Sequence, residues 1–276
     1  IDDGGGILLY ASETNDLDLL DGMGSVVAVY AYAQAVYRHH VVEAIDRLCP
    51  ACIEEKETLG LVGESGCGKT TLGRIVLGLI EPTAGLVTFM GKDMFDLDKT
   101  ELRRIRRYMQ IVFQDPFASL NPRKTLRHIL SRPFIVHGLD KDYDLEKRVS
   151  ELLEAVGLSP SETFIDRHPH ELSGGQRQRV GVARALALEP KLVVADEPVS
   201  ALDLSVRAQV LKLMKSLGEK LGCSFLFITH DLSVVRSFCS RVAVMYLGKI
   251  VELADVEELF SAPAHPYTRG LLEATP

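Results

Sequence analysis

The amino-acid sequence predicts an α/β fold with a largely parallel sheet, interrupted by a helical insertion. Three observations carry that prediction. Short apolar runs suited to buried strands alternate with segments of helical periodicity, a glycine-rich turn joins the first run to a helix, and a long middle stretch shows helical spacing alone. Thr58-Leu59-Gly60-Leu61-Val62 is the first strand, and the helix after it carries Leu72, Ile75, Val76 and Leu79 on one face. Leu192-Val193-Val194-Ala195 is the second and runs into two acids. Ser224-Phe225-Leu226-Phe227-Ile228-Thr229 is the third. Between the second and third, Val206, Val210, Leu213, Met214, Leu217 and Leu221 recur at the spacing of one helix face. From about Pro116 to Glu189 the pattern is amphipathic helix, with Leu145, Val149, Leu152, Leu153 and Val156 forming one buried stripe. The expected organisation is a segment 1–40 in which no element is evident, a domain 41–276 with its core at about 41–115 and 190–276, and a helical subdomain at about 116–189.

Composition narrows the partners. With 31 Lys and Arg against 38 Asp and Glu the formal net charge is −7, so no basic field is available to hold a nucleic-acid backbone. Five cysteines without a regular framework suit a reducing compartment. No run reaches the roughly 18–20 apolar residues that span a bilayer. The most apolar early run, Ser25 to Tyr37, follows Asp16, Asp18 and Asp21 and lacks the basic flank of a signal peptide. A membrane role would therefore act through another subunit. The start on Ile1 is that of a fragment or an unusual beginning.

Gly63-Glu64-Ser65-Gly66-Cys67-Gly68-Lys69-Thr70 matches G-x-x-x-x-G-K-[ST] between a strand and a helix, the context in which that spacing works. Its glycines let the backbone curl so that successive N–H groups face phosphate oxygens, and the positive end of the next helix, from Thr71 on, adds to the field. Lys69 is placed to reach β- and γ-phosphates, and the Thr70 hydroxyl to ligate Mg²⁺. After the second strand, Asp196 is placed to hold Mg²⁺ through its water shell. Glu197 can polarise an attacking water, help worth about 10²–10⁴-fold. Alone, the two acids would read better as a cap on the turn after the strand; after a cradle of this kind they read as ligands for metal and water.

Leu172-Ser173-Gly174-Gly175-Gln176 completes a set that resembles the ABC ATPase family, whose signature reads LSGGQ. The order fits as well: cradle, Gln114 in Phe113-Gln114-Asp115-Pro116, signature, acids, Ser200-Ala201-Leu202-Asp203, then His230 before Asp231. The resemblance covers about Val41 to Pro276. It implies a P-loop NTPase (RecA-like) core with an antiparallel β portion and an inserted helical subdomain, and ATP and Mg²⁺ as ligands. It further implies a composite site in which two such domains face head to tail, each signature closing over the ATP in the other's cradle. Ser173 suits that role as the N-cap of a helix whose end presents N–H groups to an anion. By the same resemblance Gln114 touches Mg²⁺ or the attacking water, His230 contacts the γ-phosphate, and Asp203 communicates across the dimer. Tyr37 is the candidate for stacking on adenine, with Tyr30 and Tyr32 as alternatives.

Gln114 to Arg123 (QDPFASLNPR) and His265-Pro266-Tyr267-Thr268 resemble the oligopeptide and dipeptide importer branch, and the Gly66-Cys67-Gly68 form of the cradle resembles its second ATPase subunit. The resemblance implies partners: a second ATPase subunit, identical or not, transmembrane permease subunits and, indirectly, a solute-binding protein. It implies a peripheral position on the cytoplasmic face of the membrane. Cargo is left open among peptides, nickel, opines and oligosaccharides. A soluble ATPase of DNA or ribosomes is the alternative, but Thr71 to Glu171 has no room for the long inserts of the DNA-repair relatives. A non-hydrolysing regulatory subunit is another, set against by the intact catalytic positions. Two departures stand out. Leu48-Cys49-Pro50-Ala51-Cys52 replaces the usual strand before the cradle; its lone C-x-x-C, with no second pair or His, is read as incidental. The chain also ends at Pro276, where members of this branch commonly continue.

Overall fold

A computed structural model of the chain describes the two-residue strand Val27–Ala28 and residues 52–274. Tyr37, its alternatives Tyr30 and Tyr32, and Cys49 lie outside the described residues. In chain order the elements begin with β1 (Val27–Ala28), β2 (Cys52–Ile53), β3 (Thr58–Val62), α1 (Lys69–Val76), β4 (Thr88–Phe89), β5 (Lys92–Asp93) and α2 (Lys99–Arg106). Then come β6 (Met109–Val112), α3 (Pro116–Ser119), α4 (Leu126–Val136), α5 (Leu145–Ala155), α6 (Gly174–Leu186), β7 (Leu192–Asp196) and α7 (Leu204–Leu221). The chain closes with β8 (Ser224–Thr229), α8 (Leu232–Phe238), β9 (Arg241–Tyr246), β10 (Lys249–Asp255), α9 (Val256–Ser261) and α10 (Pro266–Glu273). The described residues fall into two compact units, one of 27–28, 52–102 and 224–274, and one of 103–223.

In the first unit the strand order is β10-β9-β3-β8. β3 is parallel to both β8 and β9, and β10 returns antiparallel along β9. The parallel strands are buried along their length, so they read as continuous apolar runs with no alternation. Gly60 breaks the run in β3 for a steric reason: a Cβ there would come within 3.1 Å of Cys239 Sγ and 3.2 Å of a Val235 methyl, so α8 lies directly on the strand. Val62, Leu232, Val235, Val242, Val244, Val256 and Leu259 form the core beneath α8 and α9. α1 stops at Val76, short of Leu79. Gly78, at φ +60°, takes the left-handed turn, and Leu79 N–H donates to Arg74 carbonyl at 2.9 Å, a Schellman stop that leaves Leu79 52% exposed.

In the second unit β6 and β7 pair in parallel, Met109 opposite Leu192 and Val112 opposite Ala195. The helical stretch packs on itself: Leu120, Leu130, Phe134, Val149, Leu153 and Val180 are all but inaccessible to solvent. The expected stripe of α5 is present, with Val149, Leu152, Leu153 and Val156 buried. Thr125 and Asp144 cap α4 and α5, accepting from His128 N–H at 3.4 Å and Lys147 N–H at 3.2 Å.

Candidate functional site

The loop between β3 and α1 has the conformation that its glycines permit. Gly63, Gly66 and Gly68 have φ of +153°, +82° and +109°, a region that L side chains rarely enter. Gly63 has a second reason to be glycine, because a Cβ there would overlap the Met245 carbonyl. At Gly66 the same atom would meet nothing within 4 Å. Glu64, Ser65 and Gly66 are exposed, while Cys67 is buried beneath them as a small filler. Gly68 caps α1, whose first turn is Lys69, Thr70 and Thr71. Lys69 is 6% exposed, and its ammonium donates to the carbonyls of Gly63 and Glu64, both at 2.8 Å.

Strand register brings further residues level with this loop. Val62 lies opposite Thr229, so Gly63 and His230 leave the carboxyl ends of adjacent parallel strands together. His230 is exposed there, and Asp231 caps α8 just after it by accepting from Ser233 N–H at 3.0 Å. The second unit repeats the device. Val112 lies opposite Ala195, and two residues beyond each strand position Gln114 Nε2 donates to Glu197 Oε2 at 2.9 Å. Asp196, 8% exposed, is the last residue of β7. Glu197 has a φ of +45°, unusual for a residue with a side chain, and its carbonyl accepts from the Ser200 hydroxyl at 3.1 Å.

Ser173 opens α6 with a complete capping box. Its Oγ accepts from Gln176 N–H at 3.3 Å, and Gln176 Oε1 accepts from Ser173 N–H at 3.0 Å. Gly174 and Gly175 occupy the first two helical positions, whose N–H groups have no acceptor within a helix. A Cβ on Gly175 would overlap a methyl of Val206, so the second glycine lets α7 approach. Asp203 precedes α7, and its carbonyl accepts from Arg207 N–H at 2.8 Å.

Some neighbours of the loop were not evident from motifs. Met245 fills the space behind Gly63, and Gly248 N–H donates to the Cys67 carbonyl at 3.0 Å. Tyr267 Oη accepts from Glu64 N–H at 3.2 Å. The sequence offered one signal, His265-Pro266-Tyr267-Thr268, but nothing in it pointed to the loop. The donor set of the loop fits phosphate groups: glycine-opened backbone with no room for a Cβ at its start, an ammonium met by carbonyl dipoles, and a hydroxyl at Thr70. Within the second unit, the carboxylates of Asp196 and Glu197 are of the kind that hold a divalent cation or take a proton from water. Among the described residues no cluster of three or more His, Cys, Asp or Glu forms a separate metal site.

Residues 50–200 match the family described as ABC transporter, and residues 251–276 match the oligopeptide/dipeptide transporter C-terminal region. The oligopeptide transport ATP-binding protein AppF of Bacillus subtilis is 53% identical over 236 residues, 85% of this chain and 71% of that protein. The glutathione import ATP-binding protein GsiA of Pectobacterium atrosepticum is 52% identical over 220 residues, 80% of this chain and 35% of that protein. Among solved structures, cbiO1 of Clostridium perfringens, part of the ABC transporter complex cbiONQ, is 30% identical with a TM-score of 0.69, covering 77% of this chain and 82% of that one.

The two cradle glycines should respond differently to alanine. Gly63→Ala adds a backbone overlap to an unfavourable φ and should cost about 2–4 kcal/mol in urea unfolding; Gly66→Ala, with open space, should cost about 1 kcal/mol. Equal losses would mean that Met245 does not set the constraint.

Proposed function

The chain belongs to the ABC transporter ATP-binding family, which hydrolyses ATP to drive transport, and we propose that it powers a membrane importer of peptides or related small solutes. The observation that carries the hydrolytic part is the bond from Gln114 to Glu197 at the level of the strand ends. It fixes the orientation of the carboxylate that takes the proton of the attacking water. The matching C-terminal region and relatives named for oligopeptide and glutathione transport favour peptides over nickel or oligosaccharides as cargo.

In this reading the N–H groups of Gly66 and of Gly68 to Thr70 take the β- and γ-phosphates of ATP, and Lys69 leaves its carbonyl partners to neutralise them. Thr70, Asp196 and Gln114 are the residues that would hold Mg²⁺, which when bound would supply positive charge to the phosphate oxygens. Glu197 takes the proton of the attacking water. His230, level with Gly63, contacts the γ-phosphate. Ser173 and the N–H groups of Gly174 and Gly175 cap the γ-phosphate in the cradle of a facing ATPase subunit, identical or not, and Asp203 follows that contact.

The docking surface for the permease subunits is the segment Phe117 to Arg123 with the helices behind it. Phe117 is 62% exposed, yet the Arg177 guanidinium lies 3.9 Å from its ring centroid. Arg177 belongs to α6, the helix that Ser173 opens, so a push on Phe117 reaches the signature. Among the described residues no helix is long and apolar enough to cross a membrane. In this reading, which rests on the family, the chain sits on the cytoplasmic face, held by its permeases.

Lys69→Ala should weaken ATP binding more than about tenfold in calorimetry with Mg²⁺ present, because a charge-assisted contact to the polyphosphate is lost. Unchanged affinity would place the nucleotide elsewhere. Phe117→Ala should leave ATP hydrolysis running but abolish peptide uptake in vesicles reconstituted with the permeases. Normal uptake would move the docking surface off this segment.

A further inference from the structure

Tyr267 joins the last described helix to the opening turn of the phosphate loop. Its hydroxyl oxygen accepts from Glu64 N–H at 3.2 Å across a separation of 203 residues. Further contacts place the ring and the start of its helix. It packs on Tyr246 at the end of β9, with centroids 4.2 Å apart and planes at 34°. His265 Nδ1 accepts from Tyr267 N–H at 3.1 Å, capping α10. Glu252 of β10 accepts from the N–H groups of Ala264 at 2.7 Å and His265 at 3.0 Å, tying down the turn before that helix.

The charge states suit a fixed post. Burial pushes the Tyr267 phenol above its ordinary value, so it stays protonated and neutral at physiological pH. Burial works against the Glu252 carboxylate, but the hydrogen bonds it accepts outweigh this and hold it below the usual range, so it stays ionised. Gly248 N–H meanwhile holds the Cys67 carbonyl from the β9–β10 turn. Loop residues 64 and 67 are thus gripped by two elements of the same unit.

We propose that Tyr267 is a positioning residue for nucleotide binding: it holds the opening turn of the cradle so that the following N–H groups are already aligned for phosphate. This rests on the reading of residues 63–70 as the ATP site. The physical ground is preorganisation. A loop that must order itself on binding subtracts that entropy from the affinity, and a loop held beforehand does not. The hydroxyl acts on the loop and makes no contact with the reacting atoms.

Tyr267→Phe keeps the ring on Tyr246 and removes the acceptor for Glu64 N–H. Without nucleotide, hydrogen exchange at the Glu64 amide should speed up while β3 stays protected. By calorimetry the Kd for ATP should rise about three- to tenfold, the range set by one hydrogen bond. With the partner ATPase subunit present, the KM for ATP should rise likewise with kcat little changed. Wild-type exchange at Glu64 together with wild-type affinity would overturn the proposal. So would a lowered unfolding midpoint with unchanged KM, since that is a merely structural role. Lys69→Ala, run alongside, separates the two levels. If Lys69→Ala also binds ATP normally, the nucleotide site is misassigned. If it loses ATP and Tyr267→Phe does not, the positioning role alone fails.

Discussion

A backbone N–H that is to bind phosphate cannot be spent on secondary structure, so the loop that carries it must be held by something else. That constraint organises the neighbourhood of residues 63–70. The glycines supply the left-handed turns, and Gly63 gives up its side chain to the Met245 carbonyl. Support then comes from outside the loop: Gly248 N–H on Cys67, Tyr267 on Glu64, and the Lys69 ammonium folded onto the carbonyls of Gly63 and Glu64. The same constraint operates at Ser173. Its capping box with Gln176 satisfies two N–H groups reciprocally and fixes the helix end, while Gly174 and Gly175 keep theirs at the tip.

Parallel strands turn this local chemistry into an arrangement. Because neighbouring parallel strands end at the same level, residues equally far past their ends meet. Gly63 and His230 each follow a paired residue of β3 and β8. Gln114 and Glu197 each lie two residues beyond a paired residue of β6 and β7, and there the side chains bond at 2.9 Å. Nothing local to Gln114 selects Glu197 as its partner; sheet register does.

What was legible in the sequence follows from the same physics. The buried strands Thr58–Val62 and Ser224–Thr229 were read with their observed limits, since fully buried parallel strands are unbroken apolar runs. The helical middle was legible from its period, and Ser173 as an N-cap from its position. The Gln176 half of the capping box was not foreseen, although Ser-x-x-Gln carries the pattern. Leu79 was read into α1 because apolar spacing continues past the Schellman turn at Gly78. Strand Met109–Val112 went unread, because its half-buried pattern is short and interrupted by Gln110. The contact of Tyr267 with Glu64 was out of reach: it depends on where β9, β10 and α10 bring a distant residue, and spacing along the chain holds no record of that.

Central to the proposed function is that this chain carries two half-sites that would serve different ATP molecules, a cradle for its own and a Ser173 helix end for a neighbour's. Glu197→Gln tests it most directly. The amide keeps the shape and the Gln114 neighbour but cannot take a proton from water. With ATP and Mg²⁺ the variant should bind nucleotide, leave it uncleaved and stay closed on a second domain. Light scattering of the variant, alone and mixed with its partner ATPase subunit, should give the mass of a dimer with ATP and of separate chains with ADP. Separate chains with ATP in both mixtures, or hydrolysis at the wild-type rate, would contradict the account.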